Sequence, residues 1–311
     1  MRILVIGAGA LGGYFGGRLL AAGRDVTFLV REGRAGQLAA TGGLIVTSDY
    51  GNLAIANPPV VRADGLKERY DIILLSCKAF ALENCMRDFA PAVGPDTVII
   101  PVLNGMRHIE LLRKRFGEKV VLGGRALISA TLDAEGRIAH FGTLHTLDFG
   151  EIGGGVSERV EAVAAVMAGA GFDARARTNI MQDLWDKWVL IATIAGMTSL
   201  MRASLADIVV AGGADFSLAL MNECKSVAAR AGFDPAAEFI ANLTKSVSDP
   251  ANQTTASLAK DIEKGLPIEA DEIIGDLLAL VPEGDRGRYP ALKTVLTHLK
   301  AYEVRRARGG L

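Results

Sequence analysis

A glycine-rich segment near the amino terminus has the residue types and the spacing that bind a dinucleotide. The segment GAGALG at 7–12 follows the β-branched run RILVI and opens a helix-like stretch, the context that makes a GxGxxG pattern informative. Gly7 permits a tight turn, Gly9 lets the backbone approach a pyrophosphate, and Gly12 allows close packing of the helix on the strand. The sequence therefore predicts a dinucleotide-binding loop, rather than a glycine turn without a ligand, formed by Gly7, Ala8, Gly9, Ala10, Leu11 and Gly12.

The end of the next β-rich run indicates which dinucleotide binds. NAD-binding proteins of this kind place an acidic residue there to bind the ribose 2′-hydroxyl. This chain reads LVREGR, which puts Arg31 at that point, and a guanidinium can form paired hydrogen bonds with a 2′-phosphate. The sequence therefore favours NADP(H) as the cofactor. The alternative is that Arg31 and Arg34 are ordinary surface charges.

A single lysine interrupts a largely apolar run in the second half of the chain. The segment LWDKWVLIATIAGM at 184–197 contains Lys187 as its only cation. Burying an ammonium without a partner is costly, because desolvation disfavours the charged form. Lys187 is therefore either a functional group or one half of a helical i, i+4 ion pair with Asp183.

The surrounding pattern predicts the elements that position these residues. RILVI, the glycine segment and DVTFLV form a βαβ unit, and DIILLS (71–76) and TVIIPVL (97–103) continue a parallel sheet. Closer-spaced runs between 118 and 152 predict antiparallel strands that finish this sheet. From about 179 onward the pattern is that of amphipathic helices. We therefore expect an α/β fold, with an N-terminal Rossmann-type dinucleotide-binding domain (1–178) and an all-helical C-terminal domain for substrate and catalysis (179–311).

Composition excludes several other classes of protein. With 311 residues, 50% hydrophobic side chains and a formal charge of -1, the chain is expected to be globular, with neither nucleic acid nor a membrane surface as partner. Cys77, Cys85 and Cys224 are widely spaced and fit reduced thiols, and no targeting or membrane segment stands out, so a cytoplasmic location is expected. His140 and His145 are interpreted as polar strand positions, and no metal site is predicted.

Five motifs, in this order and spacing, resemble the ketopantoate reductase (2-dehydropantoate 2-reductase) family over nearly the whole chain. They are GAGALG at 7–12, SCKA at 76–79, LNGM at 103–106, LWDK at 184–187 and TASLAKDIEKGLPIEAD at 255–271. The resemblance implies NADPH-dependent reduction of a 2-oxo acid, a role in pantothenate biosynthesis and a possible homodimer.

The resemblance also implies roles for individual residues. Lys187 is expected to be the catalytic proton donor, and Glu269 to orient the lysine and the product hydroxyl. In carbonyl reduction negative charge grows on oxygen as hydride reaches carbon, so a proton donor must lie beside that oxygen. Trp185, Trp188 and Leu190 are expected to keep water away. The residues implied to contact cofactor or substrate are Lys78, Asn104, the backbone near Ala130, Lys187, Ser257 and Glu269.

Each of these motif residues also has a purely structural interpretation. Asn104 begins an Asn-Gly turn, which needs no ligand. Lys78 could be a solvated lysine after a strand, Ser257 could lie on a helix surface, and Glu269 could serve a helix amino terminus.

The chain departs from the family pattern around the substrate. Ile191 and Ala195 stand one and two helical turns after Lys187, where the best characterised members carry asparagines, and Leu266 and Ile268 replace an arginine and a threonine. Ketopantoate is the favoured substrate, and a more apolar oxo or hydroxy acid is the alternative. A non-catalytic NADP-binding sensor is a third hypothesis, although the presence of Lys187 and Glu269 argues against it.

Overall fold

The computed structural model describes residues 1–310, which form two compact units. The first consists of residues 1–103 and 108–181, and the second of residues 104–107 and 182–310. The short segment 104–107 therefore packs with the helices of the second unit, although it follows a strand of the first. Which unit binds cofactor and which binds substrate stays a prediction.

The chain up to residue 181 alternates strands and helices. In order, it contains β1 (Arg2–Ile6), α1 (Ala10–Ala21), β2 (Asp25–Leu29), α2 (Glu32–Ala40), β3 (Leu44–Thr47), β4 (Leu53–Ile55), β5 (Val60–Val61), β6 (Ile72–Leu75), α3 (Leu82–Phe89), β7 (Val98–Pro101), α4 (Arg107–Phe116), β8 (Gly123–Leu132), β9 (Ile138–Gly150), α5 (Glu158–Met167) and β10 (Asp173–Ala176).

The first sheet is parallel and has the strand order β5-β2-β1-β6-β7. Strands β6 and β7, with the sequences IILL and VIIP, are buried at every position, as expected for a sheet covered on both faces. The α/β fold class and the Rossmann-type order of the sheet are thereby confirmed. The carboxyl ends of β1, β2 and β6 lead into the glycine loop, Arg31 and Lys78, at the edge where such sheets bind ligands.

The expectation that the strands between 118 and 152 finish the parallel sheet is wrong. β8 and β9 do form an antiparallel pair, but they belong to a second sheet of order β10-β9-β3-β4, in which β8 pairs with β9. The register Val46↔Ile138 joins β3 to β9 across about 90 residues of sequence. Helix α1 lies between the two sheets, and strands of both sheets pack against it.

The glycines of α1 explain how one helix serves two sheets. A Cβ on Gly16 would lie 2.5 Å from the ring of Phe28 in the first sheet. A Cβ on Gly17 would lie 2.9 Å from Leu44 in the second sheet, and one on Gly13 would overlap Ile138. Glycines repeated at i, i+4 therefore make each face of α1 flat enough for a sheet to pack directly against the helix backbone.

The second unit is entirely helical in the part that the structure describes. Its helices are α6 (Ile180–Met201, of which the first two residues belong to the first unit), α7 (Leu205–Val210), α8 (Ala214–Arg230), α9 (Ala237–Val247), α10 (Ser257–Glu263), a π-helical turn (Asp271–Gly275), α11 (Asp276–Ala279) and α12 (Pro290–Ala307). Within residues 1–310, none of the helices combines the length and the apolarity that crossing a bilayer requires.

Candidate functional site

The glycine loop has the backbone geometry that its sequence predicts. Gly7 has φ of +90°, a conformation that side chains rarely adopt, and its N–H donates to the carbonyl of Leu29 at 2.9 Å. No atom lies within 4 Å of the position that a Cβ on Gly9 would take. A Cβ on Gly12 would instead collide with the carbonyl of Gly7 and the hydroxyl of Ser76. Gly9 thus leaves open space for a ligand, whereas Gly12 is required by packing.

Arg34 supports the glycine loop, a role that the sequence did not indicate. Its Nε donates to the carbonyl of Ala8 at 2.7 Å and its Nη1 to the carbonyl of Gly136 at 2.8 Å. Burial lowers the pKa of this guanidinium. Arg34 is therefore a structural contact of the loop rather than a surface charge.

Arg31 lines a cavity of about 370 Å³ at the carboxyl end of the first sheet. Arg62 lines the same cavity, because β5 pairs with β2 and each strand is followed by an arginine. The Arg62 guanidinium lies 3.7 Å from the carboxylate of Glu32. Arg62 was not predicted as a site residue, because its only signal in the sequence is its position directly after the β-branched pair Val60 and Val61.

The other predicted cofactor residues of the first unit lie on separate elements. Lys78 is exposed and precedes the 3₁₀ turn Ala79–Ala81. Ala130 lies on β8 opposite His140 and packs against the core of this unit. Their contact with a cofactor stays a prediction.

In the second unit the structure brings Asn104 and Glu269 together. The Asn104 side-chain amide donates to a Glu269 carboxylate oxygen at 3.2 Å, and Glu269 is only 4% exposed. Gly105 makes this approach possible: it has φ of +75°, and a Cβ there would collide with the carbonyl of Glu272. The Asn-Gly pair therefore forms a turn, which agrees with its structural interpretation. Its asparagine also contacts Glu269, the glutamate predicted to belong to the substrate pocket.

Further carboxylates follow Glu269 in and beside the π-helical turn. Burial raises the pKa of Glu272, and the negative charges of Glu269, Asp271 and Asp276 raise it further, against backbone hydrogen bonding that lowers it. Burial also raises the pKa of Asp276, although Arg107, 3.7 Å away, opposes that shift. The carboxylates lie on or next to the π-helical turn, a type of irregularity that occurs often at functional sites.

Lys187 lies in the second turn of α6 and is half-buried. Ile191 is also half-buried, and Ala195 is buried at 3% exposure.

The tryptophans on either side of Lys187 belong to the helical core. Trp185 stacks on Phe233, and the Trp188 indole donates to the carbonyl of Ile273 at 2.9 Å. Ser257 begins α10 and is exposed.

His140 and His145 lie on β9, as interpreted from the sequence, and form hydrogen bonds within the first unit. His145 Nδ1 lies 2.9 Å from the Tyr14 hydroxyl, and His140 Nδ1 lies 2.9 Å from the Ser48 hydroxyl. Among residues 1–310, no three or more His, Cys, Asp or Glu side chains are grouped so that they could hold a metal ion.

Both halves of the chain match one described family. Residues 3–154 match "Ketopantoate reductase PanE/ApbA", and residues 179–303 match "Ketopantoate reductase PanE/ApbA C terminal".

Individual relatives align along almost the entire chain. The Bacillus subtilis (strain 168) protein named "Uncharacterized oxidoreductase YkpB" is 35% identical over 307 residues, covering 98% of this chain and 99% of that protein. The crystal structure of 2-dehydropantoate 2-reductase from Methylococcus capsulatus has a TM-score of 0.83 and 30% identity, with 98% of each chain covered. A ternary structure of D-mandelate dehydrogenase with NADH and anilino(oxo)acetate has a TM-score of 0.85, covers 99% of this chain and 100% of that one, and at 22% identity shows a shared fold.

Proposed function

Because the chain belongs to the ketopantoate reductase family, and is thus an oxidoreductase acting on a CH–OH group, we propose that it reduces ketopantoate to pantoate with NADPH. The observation that carries the proposal is the buried Glu269 carboxylate, held by Asn104 on the same helical unit as Lys187. A cytoplasmic role in pantothenate biosynthesis and assembly with a second copy of the chain belong to the same proposal.

Members of this family use a nicotinamide dinucleotide, and the first unit fits one. Gly9 leaves space for a pyrophosphate beside the amino terminus of α1, whose free N–H groups favour anions. Arg31 and Arg62 line the cavity that follows β2 and β5. Two guanidinium groups at that point support NADP(H) over NAD(H), since the 2′-phosphate carries the additional negative charge. The Glu32 carboxylate pairs with Arg62, so a bound 2′-phosphate would replace that carboxylate as the anion beside the Arg62 guanidinium.

Arg31→Ala is expected to weaken NADPH binding by about 10- to 100-fold and to leave NADH binding almost unchanged. Charge-assisted hydrogen bonds to a phosphate contribute roughly 1.5–3 kcal/mol, and NADH has no phosphate at that position. Fluorescence titration of each cofactor with wild type and variant measures the difference. Equal losses for both cofactors would reject the assignment of Arg31.

Gly9→Ala and Gly12→Ala are expected to fail in different ways. A methyl group at Gly9 meets no protein atom, so the variant should fold normally but bind NADPH about 10- to 100-fold more weakly, because the methyl occupies space required by the pyrophosphate. A methyl group at Gly12 collides with Gly7 and Ser76 and should lower stability by about 1–3 kcal/mol. Thermal unfolding without cofactor and NADPH titration separate the two. Normal NADPH affinity in Gly9→Ala would contradict a close approach of the ligand.

The proposed chemistry is hydride addition coupled to protonation. A bound NADPH would supply hydride to the carbonyl carbon of the substrate. Lys187 donates a proton to the carbonyl oxygen as negative charge grows on it. Asn104 holds the Glu269 carboxylate, and that carboxylate orients the Lys187 ammonium and the product hydroxyl. A neighbouring carboxylate favours the protonated lysine, which keeps the proton donor available near neutral pH.

A second candidate is the same reaction on a more apolar 2-oxo acid. Ile191 and Ala195 follow Lys187 by one and two helical turns, and Ile268, directly before Glu269, is buried. None of these three side chains can form a hydrogen bond with the hydroxyl group of ketopantoate. An apolar lining discriminates weakly between substrates, whereas a site built to bind a hydroxyl rejects analogues that lack it by large factors.

Two substrates of the same skeleton separate the candidates. Ketopantoate and 3,3-dimethyl-2-oxobutanoate differ only in the hydroxyl, so their kcat/KM values, measured by NADPH oxidation, report whether the protein binds that group. A ratio above about 100 in favour of ketopantoate supports the first candidate. Near-equal values support the second. No NADPH oxidation with any member of a 2-oxo acid panel would contradict both and restore the sensor hypothesis.

A further inference from the structure

Two cysteines lie together beside the Arg31 cavity. Cys77 follows strand β6, and Cys85 lies in helix α3. Cys77 packs against the core cluster that contains Cys85. Cys77 and Arg31 both act on the Cys85 thiol through side-chain hydrogen bonding. Cys85 lines the same cavity of about 370 Å³ as Arg31.

The surroundings of Cys85 favour its thiolate. The hydrogen bond from Cys77 lowers the pKa of Cys85 most, and the charge and hydrogen bond of Arg31 lower it further, while burial and Asp88 act in the opposite direction. The thiolate is the nucleophilic form of cysteine, so Cys77 and Arg31 favour the reactive form of Cys85. Cys224 is the reverse case: burial raises the pKa of its thiol to about 12, which makes it inert.

The cavity gives a small oxidant access to Cys85. The residue is only 7% exposed, which excludes bulky reagents from direct attack across the surface. A peroxide is about the size of two water molecules, each with a share of liquid volume near 30 Å³, so it is small beside a cavity of about 370 Å³. Cys77 is partly exposed and already in contact with Cys85, which places it as the resolving thiol.

We propose that Cys85 and Cys77 form a peroxide-oxidised thiol pair in the cavity lined by Arg31. The Cys85 thiolate attacks one oxygen of hydrogen peroxide, the O–O bond breaks, and the leaving hydroxide takes a proton to become water. Cys85 is then a sulfenic acid. The Cys77 sulfur attacks the Cys85 sulfur, the S–O bond breaks, and hydroxide leaves with the Cys77 proton as a second water. Two thiols are oxidised to one disulfide, and one peroxide is reduced to two waters.

Cofactor binding should control this oxidation, a step that rests on the proposed function. A 2′-phosphate bound to Arg31 would neutralise the guanidinium that favours the Cys85 thiolate. It would also place negative charge beside Cys85. Like charge disfavours the thiolate, and the phosphate also fills the cavity. NADP⁺ should therefore protect the pair more than NAD⁺ does.

The test uses the full chain without cofactor, treated with hydrogen peroxide. Trypsin cuts after Lys78, so a Cys77–Cys85 disulfide links two otherwise separate peptides, residues 70–78 and 79–87. We expect mass spectrometry to detect this linked pair and its loss after treatment with dithiothreitol. Cys224 is an internal control and should be oxidised at least roughly 10-fold more slowly. Absence of the linked pair, or equal oxidation of Cys224 and Cys85, would overturn the proposal.

Conservative variants assign the two steps. Cys77→Ser should leave a sulfenic acid on Cys85 that dimedone traps, whereas Cys85→Ser should yield no sulfenic acid. Arg31→Ala should slow oxidation of Cys85 severalfold, because the guanidinium that favours the thiolate is removed. Dimedone labelling of Cys77 instead of Cys85 would refute the order of the steps.

The cofactor arm distinguishes this proposal from the proposed function. Saturating NADP⁺ should slow disulfide formation severalfold, and saturating NAD⁺ by clearly less. Equal protection by both would contradict the binding of the 2′-phosphate by Arg31 while leaving the thiol pair supported. Protection by neither would contradict the placement of any dinucleotide in this cavity.

Discussion

Lys187→Ala is expected to lower kcat by about 10²–10⁴-fold, the usual contribution of a positioned general acid. NADPH affinity should change little, because the proposed cofactor contacts lie on other residues. Lys187→Arg should not restore the rate, since a guanidinium keeps the positive charge but is a poor proton donor near neutral pH. Steady-state NADPH oxidation and NADPH titration measure the two quantities.

A matched control uses another lysine of the helical unit. Lys293 is exposed on α12, so Lys293→Ala should retain the wild-type rate. Near-normal turnover of Lys187→Ala would instead return Lys187 to a structural role on α6.

The pH dependence of the same reaction tests the role of Glu269. Glu269→Gln keeps an oxygen that accepts from Asn104 but removes the negative charge. If the carboxylate holds Lys187 protonated, its loss disfavours the protonated lysine, and the alkaline limb of the pH–rate profile should move to lower pH. An unmoved alkaline limb would show that Glu269 acts on the substrate and not on the lysine.

Arg125→Ala is expected to lower the free energy of unfolding by about 3–5 kcal/mol, because it leaves a buried carboxylate without its ion-pair partner. Arg125 and Asp148 face each other across β8 and β9, and the Arg125 Nε donates to Asp148 Oδ2 at 2.8 Å. The Asp148 side chain is 0% exposed and that of Arg125 is 14% exposed. Urea unfolding followed by circular dichroism measures the loss.

Two comparison variants isolate the effect of burial. Arg137 and Asp133 form an exposed arginine–aspartate pair at the turn between β8 and β9, so Arg137→Ala should leave stability nearly unchanged. The double variant Arg125→Met with Asp148→Leu should recover much of the loss, since replacing both members of a buried pair by apolar residues is often neutral. Equal losses for Arg125→Ala and Arg137→Ala would contradict this account.

The sequence by itself determined the features that depend on neighbouring residues. The glycine loop could be predicted because a strand run, three spaced glycines and a helix run lie within about 20 consecutive residues. The helical second half could be predicted because the helical apolar period repeats within each segment. The open space at Gly9 and the positive φ of Gly7 agree with the roles inferred from their positions in the motif.

Only the tertiary structure decided which distant segments meet. Asn104 and Glu269 are 165 residues apart, and their hydrogen bond depends on Gly105 packing against the π-helical turn. The second sheet likewise joins β3 to β9 around α1, and no local pattern distinguishes that pairing from an extension of the first sheet. Cys85 of α3 meets Arg31 because both line one cavity with the last residues of β1 and β2. Periodicity fixes which face of an element is apolar, whereas the partner of that face is decided by the packing of the whole unit.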